Sequence, residues 1–126
     1  MVGMTTRIEG AEKAQNWLQK IIFKIFKNTD EGVVEGANIL KDEIEASIAG
    51  KRSEPRSVKT GRFLNSISVN KTGKTQAEVA SDVDYSMFLE YGTIYIPERR
   101  HFRNSLKRKE KKIIKKMKEK VEDATK

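Results

Sequence analysis

Apolar residues in this chain recur every three or four positions near both ends and every second position in the middle, which leaves few folds open. The spacing is helical in Ala14, Trp17, Leu18, Ile21, Ile22, Ile25 and Phe26, and again in Val33, Ala37, Leu40, Ile44 and Ile48. Leu106, Ile113, Ile114, Met117 and Val121 repeat it as a narrower stripe in a segment otherwise filled with lysine and arginine. Between these regions Ile67 and Val69 alternate with Ser66, Ser68 and Asn70, and Ala77 and Val79 mark a returning strand. The expected class is α+β, with N-terminal helices and a long C-terminal helix packed on a small antiparallel sheet.

Local signals divide the chain further. Thr6-Arg7-Ile8-Glu9 reads as a capping box opening a first helix that ends near Lys27. Asn28-Thr29-Asp30 offers N-caps for a second helix, with Gly50 as its stop. Gly32 and Gly36 weaken that helix by about 1 kcal/mol each relative to alanine. Lys51–Lys59 is polar, basic and broken by Pro55, so it reads as an exposed loop, mobile until a partner orders it. Lys71-Thr72-Gly73-Lys74 supplies a hairpin turn. Asp84 can cap a short helix in which Tyr85, Phe88 and Leu89 share a face and which Gly92 ends, and Thr93–Ile96 then reads as a third strand. The last helix runs from about Phe102 to near Asp123. One domain over 1–126 is expected: a helical part at 1–50, the loop at 51–60, the sheet with its short helix at 61–97, and the basic helix at 98–126.

A chain of 126 residues that is 37% hydrophobic can build only a small core, and partner subunits can supply further burial. It has no cysteine, hence no disulfide framework or thiolate metal site. No apolar run approaches the roughly 18 residues of a membrane span, and Met1–Gly10 lacks a signal-peptide pattern; a soluble protein used without export is expected. Arg99–Lys126 holds 13 Lys/Arg against 4 Asp/Glu, a net +9, so the rest of the +8 chain is near neutral at −1.

Catalytic chemistry finds little footing. His101, the single histidine, sits in Arg99-Arg100-His101-Phe102-Arg103 and reads as an ordinary surface or interface histidine, with no cysteine and no serine in a nucleophile-elbow pattern to pair with it. Asp82 and Asp84 near a strand end read as turn and capping residues, without a second histidine or a calcium-loop pattern. Gly61, Gly73 and Gly92 stand singly, with no phosphate-cradling cluster. No enzyme, catalytic residue, cofactor or metal is expected.

The C-terminal helix leaves three readings open. Lys107, Arg108, Lys111, Lys112, Lys115 and Lys116, with further lysines around them, can neutralise phosphates, dock on an acidic face of a neighbouring subunit, or form a solvated face. Phe102 is its one aromatic, too little for a stacking platform along a single strand.

Three motifs then fall in order. The first is Thr60-Gly61-Arg62-Phe63-Leu64-Asn65-Ser66-Ile67, and the second is Tyr85-Ser86-Met87-Phe88-Leu89-Glu90-Tyr91-Gly92-Thr93. The third is Pro97 followed by His101-Phe102-Arg103-Asn104-Ser105-Leu106. The stretch resembles the head–tail joining and tail-completion proteins of long-tailed bacteriophages, with Phe63 where leucine is usual, Ser86 for alanine, and, around Phe102 at the start of the last helix, both usual prolines and the leucine after Phe102 missing. The resemblance implies a structural virion protein at the head–tail junction or tail top, made in the host cytoplasm. It implies copies in a ring, a hexamer, between tail tube and connector or neck proteins. Subunit-contact candidates are Tyr85, Phe88, Glu90, Tyr91, Gly92, Thr93, Ile94 and Phe102; passing DNA is a possible non-specific partner. A small basic nucleic-acid-binding protein using the C-terminal helix is the alternative.

Overall fold

The computed structural model describes the backbone from Val2 and side chains from Glu12 onward. Its elements in chain order are α1 (Val2–Ile48), a 3-10 turn (Leu64–Ser66), β1 (Ile67–Gly73), β2 (Gln76–Ser81), α2 (Ser86–Tyr91) and α3 (His101–Ala124). The class is α+β, with the long C-terminal helix expected from the sequence.

The two N-terminal helices are one. α1 runs unbroken for 47 residues, about 70 Å at 1.5 Å per residue. The side chains that suggested N-caps near residue 29 are engaged elsewhere. Thr29 Oγ1 donates back to the Ile25 carbonyl at 2.7 Å, Asn28 Nδ2 donates to the Lys120 carbonyl of α3 at 2.9 Å, and Asp30 accepts from the Thr75 amide and Lys71 of the hairpin. Without an exposed acceptor to turn the backbone, the helix continues. The capping box at Thr6 and Glu9 concerns side chains outside the described residues.

α3 lies antiparallel along the C-terminal half of α1, and Gly32 and Gly36 are the reason it lies close. A Cβ on Gly36 would sit 2.9 Å from Ile113 Cγ2, and one on Gly32 would sit 3.3 Å from the Met117 Cα. These glycines cost helix propensity, and in return admit the facing helix. The face turned to α1 is set by Ile113, Met117 and Val121 with Ser105 and Ala124, whereas Leu106 and Ile114 of the expected stripe remain exposed.

The hairpin pairs Ile67 with Ser81 and Val69 with Val79. Its turn falls at Lys74 and Thr75, later than expected, with Thr75 at φ 55°. Ile44, Ile48, Phe63, Ile67 and Val83 form the core, with Leu40, Val58, Tyr85, Leu89 and Phe102 packed around it. Asp84 does not cap α2, whose N-cap is Tyr85 without a side-chain bond. Thr93–Ile96 is a turn, not a strand. The Thr93 amide donates to the Ile96 carbonyl at 2.7 Å, and Thr93 Oγ1 accepts from the amides of Tyr95 and Ile96. A β-prone sequence with no neighbouring strand edge to join folds on itself.

The arm and loop as a candidate assembly site

Two regions carry large apolar side chains in solvent. The N-terminal half of α1 extends past α3 as an arm, exposing Trp17, Leu18, Ile22, Phe23 and Phe26. The other is α2 with the loop after it, where Ile94 is 91% and Tyr95 88% exposed beside Phe88, Tyr91 and Met87. Gly92 makes that loop. At φ 77° it turns the chain out of α2, and the Arg99 and Arg100 amides then return to the Leu89 and Glu90 carbonyls. Ile94 and Tyr95 are left at the tip.

The sequence-derived contact candidates separate accordingly. Phe88, Tyr91, Thr93 and Ile94 are exposed; Tyr91 also lies under the Arg103 guanidinium at 4.5 Å. Tyr85 and Phe102 are half-buried against the core, with Tyr85 edge-on to Phe63. Glu90 is spent inside the chain. Its carboxylate accepts from the Phe102 amide at 2.8 Å, the Arg103 amide at 3.1 Å and Arg103 Nε at 2.9 Å, capping α3 from outside the helix. Arg100, the N-cap by position, is left-handed and makes no side-chain cap. Met87, Tyr95 and Ile96, outside the sequence-derived candidates, are exposed beside them, Tyr95 and Ile96 in the same apolar run as Ile94.

His101 is a correction: it is fully buried. Its Nδ1 lies 2.7 Å from Ser47 Oγ and its Nε2 2.7 Å from Ser57 Oγ. Ser47 donates its one proton to Glu54, so Nδ1 carries the ring proton, and the Nε2 of the neutral ring accepts from Ser57 at 2.7 Å in preference to the Pro55 carbonyl at 3.1 Å. Burial holds the imidazole pKa below its ordinary value, opposed by the charges of Glu90 and Glu54 and reinforced by Arg99 and Arg108.

Glu54, in the middle of the expected loop, is buried too. It takes Arg108 in a two-pronged pair at 2.7 and 2.8 Å and also accepts from Ser53 and Asn104. Arg108, first among these partners, holds the Glu54 carboxyl well below the usual carboxylate range against the opposing effect of burial. The 51–60 segment, mostly exposed, is thus pinned at its centre. Arg108, among the basic surface candidates, spends its guanidinium on Glu54 and Glu43. Lys116 and Lys120 face Glu35 at 3.7 and 3.2 Å, while Lys107, Lys111, Lys112 and Lys115 point to solvent. Glu43, also buried, is held below its usual range chiefly by Arg52.

The family description "Bacteriophage HK97-gp10, putative tail-component" matches residues 9–92, from the arm through the Gly92 corner. The chain belongs to this HK97-gp10-like family. Such a member is a structural component of a phage tail, and its place is the virion. The match takes in the motif at Thr60–Ile67 and that at Tyr85–Thr93 as far as Gly92, and ends before α3. No curated protein and no solved structure matches the chain. Among the described residues no helix is long and apolar enough to cross a membrane.

Proposed function

We propose that this tail component works as a ring-forming protein at the head–tail junction or tail top, each copy joined to the next through its arm and its α2 loop. One observation carries the reading: two dissimilar apolar patches stand exposed on one chain, far apart along α1. The loop lies near the Ser47 end of α1 and the arm patch ends at Phe26, an axial separation of about 30 Å at 1.5 Å per residue. Dissimilar, separated patches suit a heterologous contact, which repeats by rotation and makes a ring when that rotation closes. Phe88, Tyr91, Ile94 and Tyr95 would fill one side of the seam, and Trp17, Ile22, Phe23 and Phe26 the other. The exposed lysines of α3, Lys107, Lys111 and Lys115, remain for an adjacent neck or tail-tube protein or for passing DNA.

Cryo-electron microscopy of assembled particles tests the position. Density for this chain as a closed ring between connector and tail tube is the expected result. Density repeated along the whole tube, or none in the particle, would reject the reading.

A further inference from the structure

A cavity of about 570 Å³ opens between the 51–60 segment and α2. Its apolar lining is Val58, Phe63, Tyr85 and Leu89, and its charged lining is Arg56, Lys59, Arg62 and Arg99. The cations are unusual in one respect. Among the described residues, Arg52, Arg100, Arg103 and Arg108 each have a carboxylate within 4.0 Å. The described arginines without one are Arg56, Arg62 and Arg99, and all three line this cavity.

Arg99 is held in place by the polar chain of the core. Its Nη1 donates to Ser57 Oγ at 2.7 Å, Ser57 donates to His101, and His101 is tied through Ser47 to Glu54. A second donation, to the Arg56 carbonyl at 3.3 Å, holds the guanidinium against the 56–57 segment of the cavity wall. Arg62 stands 5.8 Å over the Tyr85 ring. A concave apolar floor with positioned donors above it is the build of a binding site, and its volume suits one large side chain with its flanking backbone.

We propose that this cavity docks an acidic segment of a partner protein, with an apolar or aromatic side chain on Phe63, Tyr85 and Leu89 and flanking carboxylates on the guanidinium groups. Guanidinium–carboxylate pairs are charge-assisted and geometrically specific. Duplex DNA would satisfy the cations but offers nothing to fill the apolar floor. The site does not depend on ring closure, because one chain supplies every lining residue.

The test is a titration of the full chain with the synthetic peptide acetyl-DEFED-amide, followed by ¹⁵N NMR. Shifts should concentrate at residues 56–63, 85–89 and 99. R56A/R62A should keep the parent circular dichroism spectrum and bind about tenfold more weakly or worse, two charge-assisted contacts being lost. K111A/K115A on the outer face of α3 should bind as the parent does, and acetyl-DEAED-amide should bind several-fold more weakly. Equal binding by the two peptides, shifts centred on the α3 lysines, or a thymidine oligonucleotide competing more strongly than the peptide would overturn the proposal. So would cavity shifts that depend on protein concentration alone and do not respond to peptide, which would place a second copy there.

Discussion

At Gly92 the backbone takes φ 77°, and a Cβ there would meet the Glu98 amide nitrogen at 2.7 Å and the Ile96 carbonyl oxygen at 2.8 Å. Strain and steric overlap with main-chain atoms act together, so Gly92→Val should cost about 1–3 kcal/mol or more, read as a lower Tm. Unchanged Tm would mean the corner is not what shapes the loop. His101 predicts a pH dependence. Its folded pKa lies below the unfolded value of about 6.5, so the unfolded chain binds the proton first. Its contribution is complete above that value and is lost as pH falls below it. Glu54 and Glu43, depressed by their arginines, add a second loss below about 4.5. Stability measured by urea denaturation should therefore fall in two stages on acidification, and His101→Asn should abolish the earlier one while leaving the later. A single stage in the parent would argue against a neutral, buried His101.

Among the elements, the α1–α3 pair depends on the two glycines that first look like defects. Gly36→Leu should force α3 away and cost about 1–3 kcal/mol by overpacking. Asn38→Leu on the exposed side should change stability by less than about 0.5 kcal/mol. The 51–60 segment depends on Glu54. Glu54→Gln removes the two-pronged partner of Arg108, leaving it only Glu43 at 3.3 Å, and should cost about 2–3 kcal/mol, part of it recovered in Glu54→Gln/Arg108→Met. Trypsin should then cut at Lys51, Arg52 or Arg56 far faster in the single variant than in the parent. The helices and hairpin were legible because apolar periodicity is local. The missing break at residue 29, the turn at Thr93 and the burial of His101 and Glu54 were not. Three of these are decided by a partner distant in sequence, Asn28 by Lys120, Glu54 by Arg108 and His101 by Ser47, and the turn at Thr93 by the lack of a strand edge to join. The Gly92 corner was legible, since few residues other than glycine adopt its backbone conformation.

For the whole molecule, surface area tells the same story as the patches. A compact monomer of 14.4 kDa should expose about 6,800 Å², and this chain exposes 9223 Å². That extra surface includes the exposed Trp17, Phe23, Phe26, Ile94 and Tyr95, and is suited to burial between subunits. The family match supports a tail component, and the motifs at Thr60 and Tyr85 that pointed there are also the residues that build the core and the corner. The apolar tip at Tyr95 was not singled out, because exposure is a property of the fold and not of the residue type.

Native mass spectrometry of Tyr95→Asp and Phe23→Asp, alone and mixed, tests the arm-to-loop contact most directly. The parent at tens of micromolar should form a closed oligomer, and each variant alone should be monomeric. Mixed, the two should form a heterodimer and nothing larger, because the intact loop of one can take the intact arm of the other only once. A monomeric parent, or a Tyr95→Asp homodimer held arm to arm, would contradict the account.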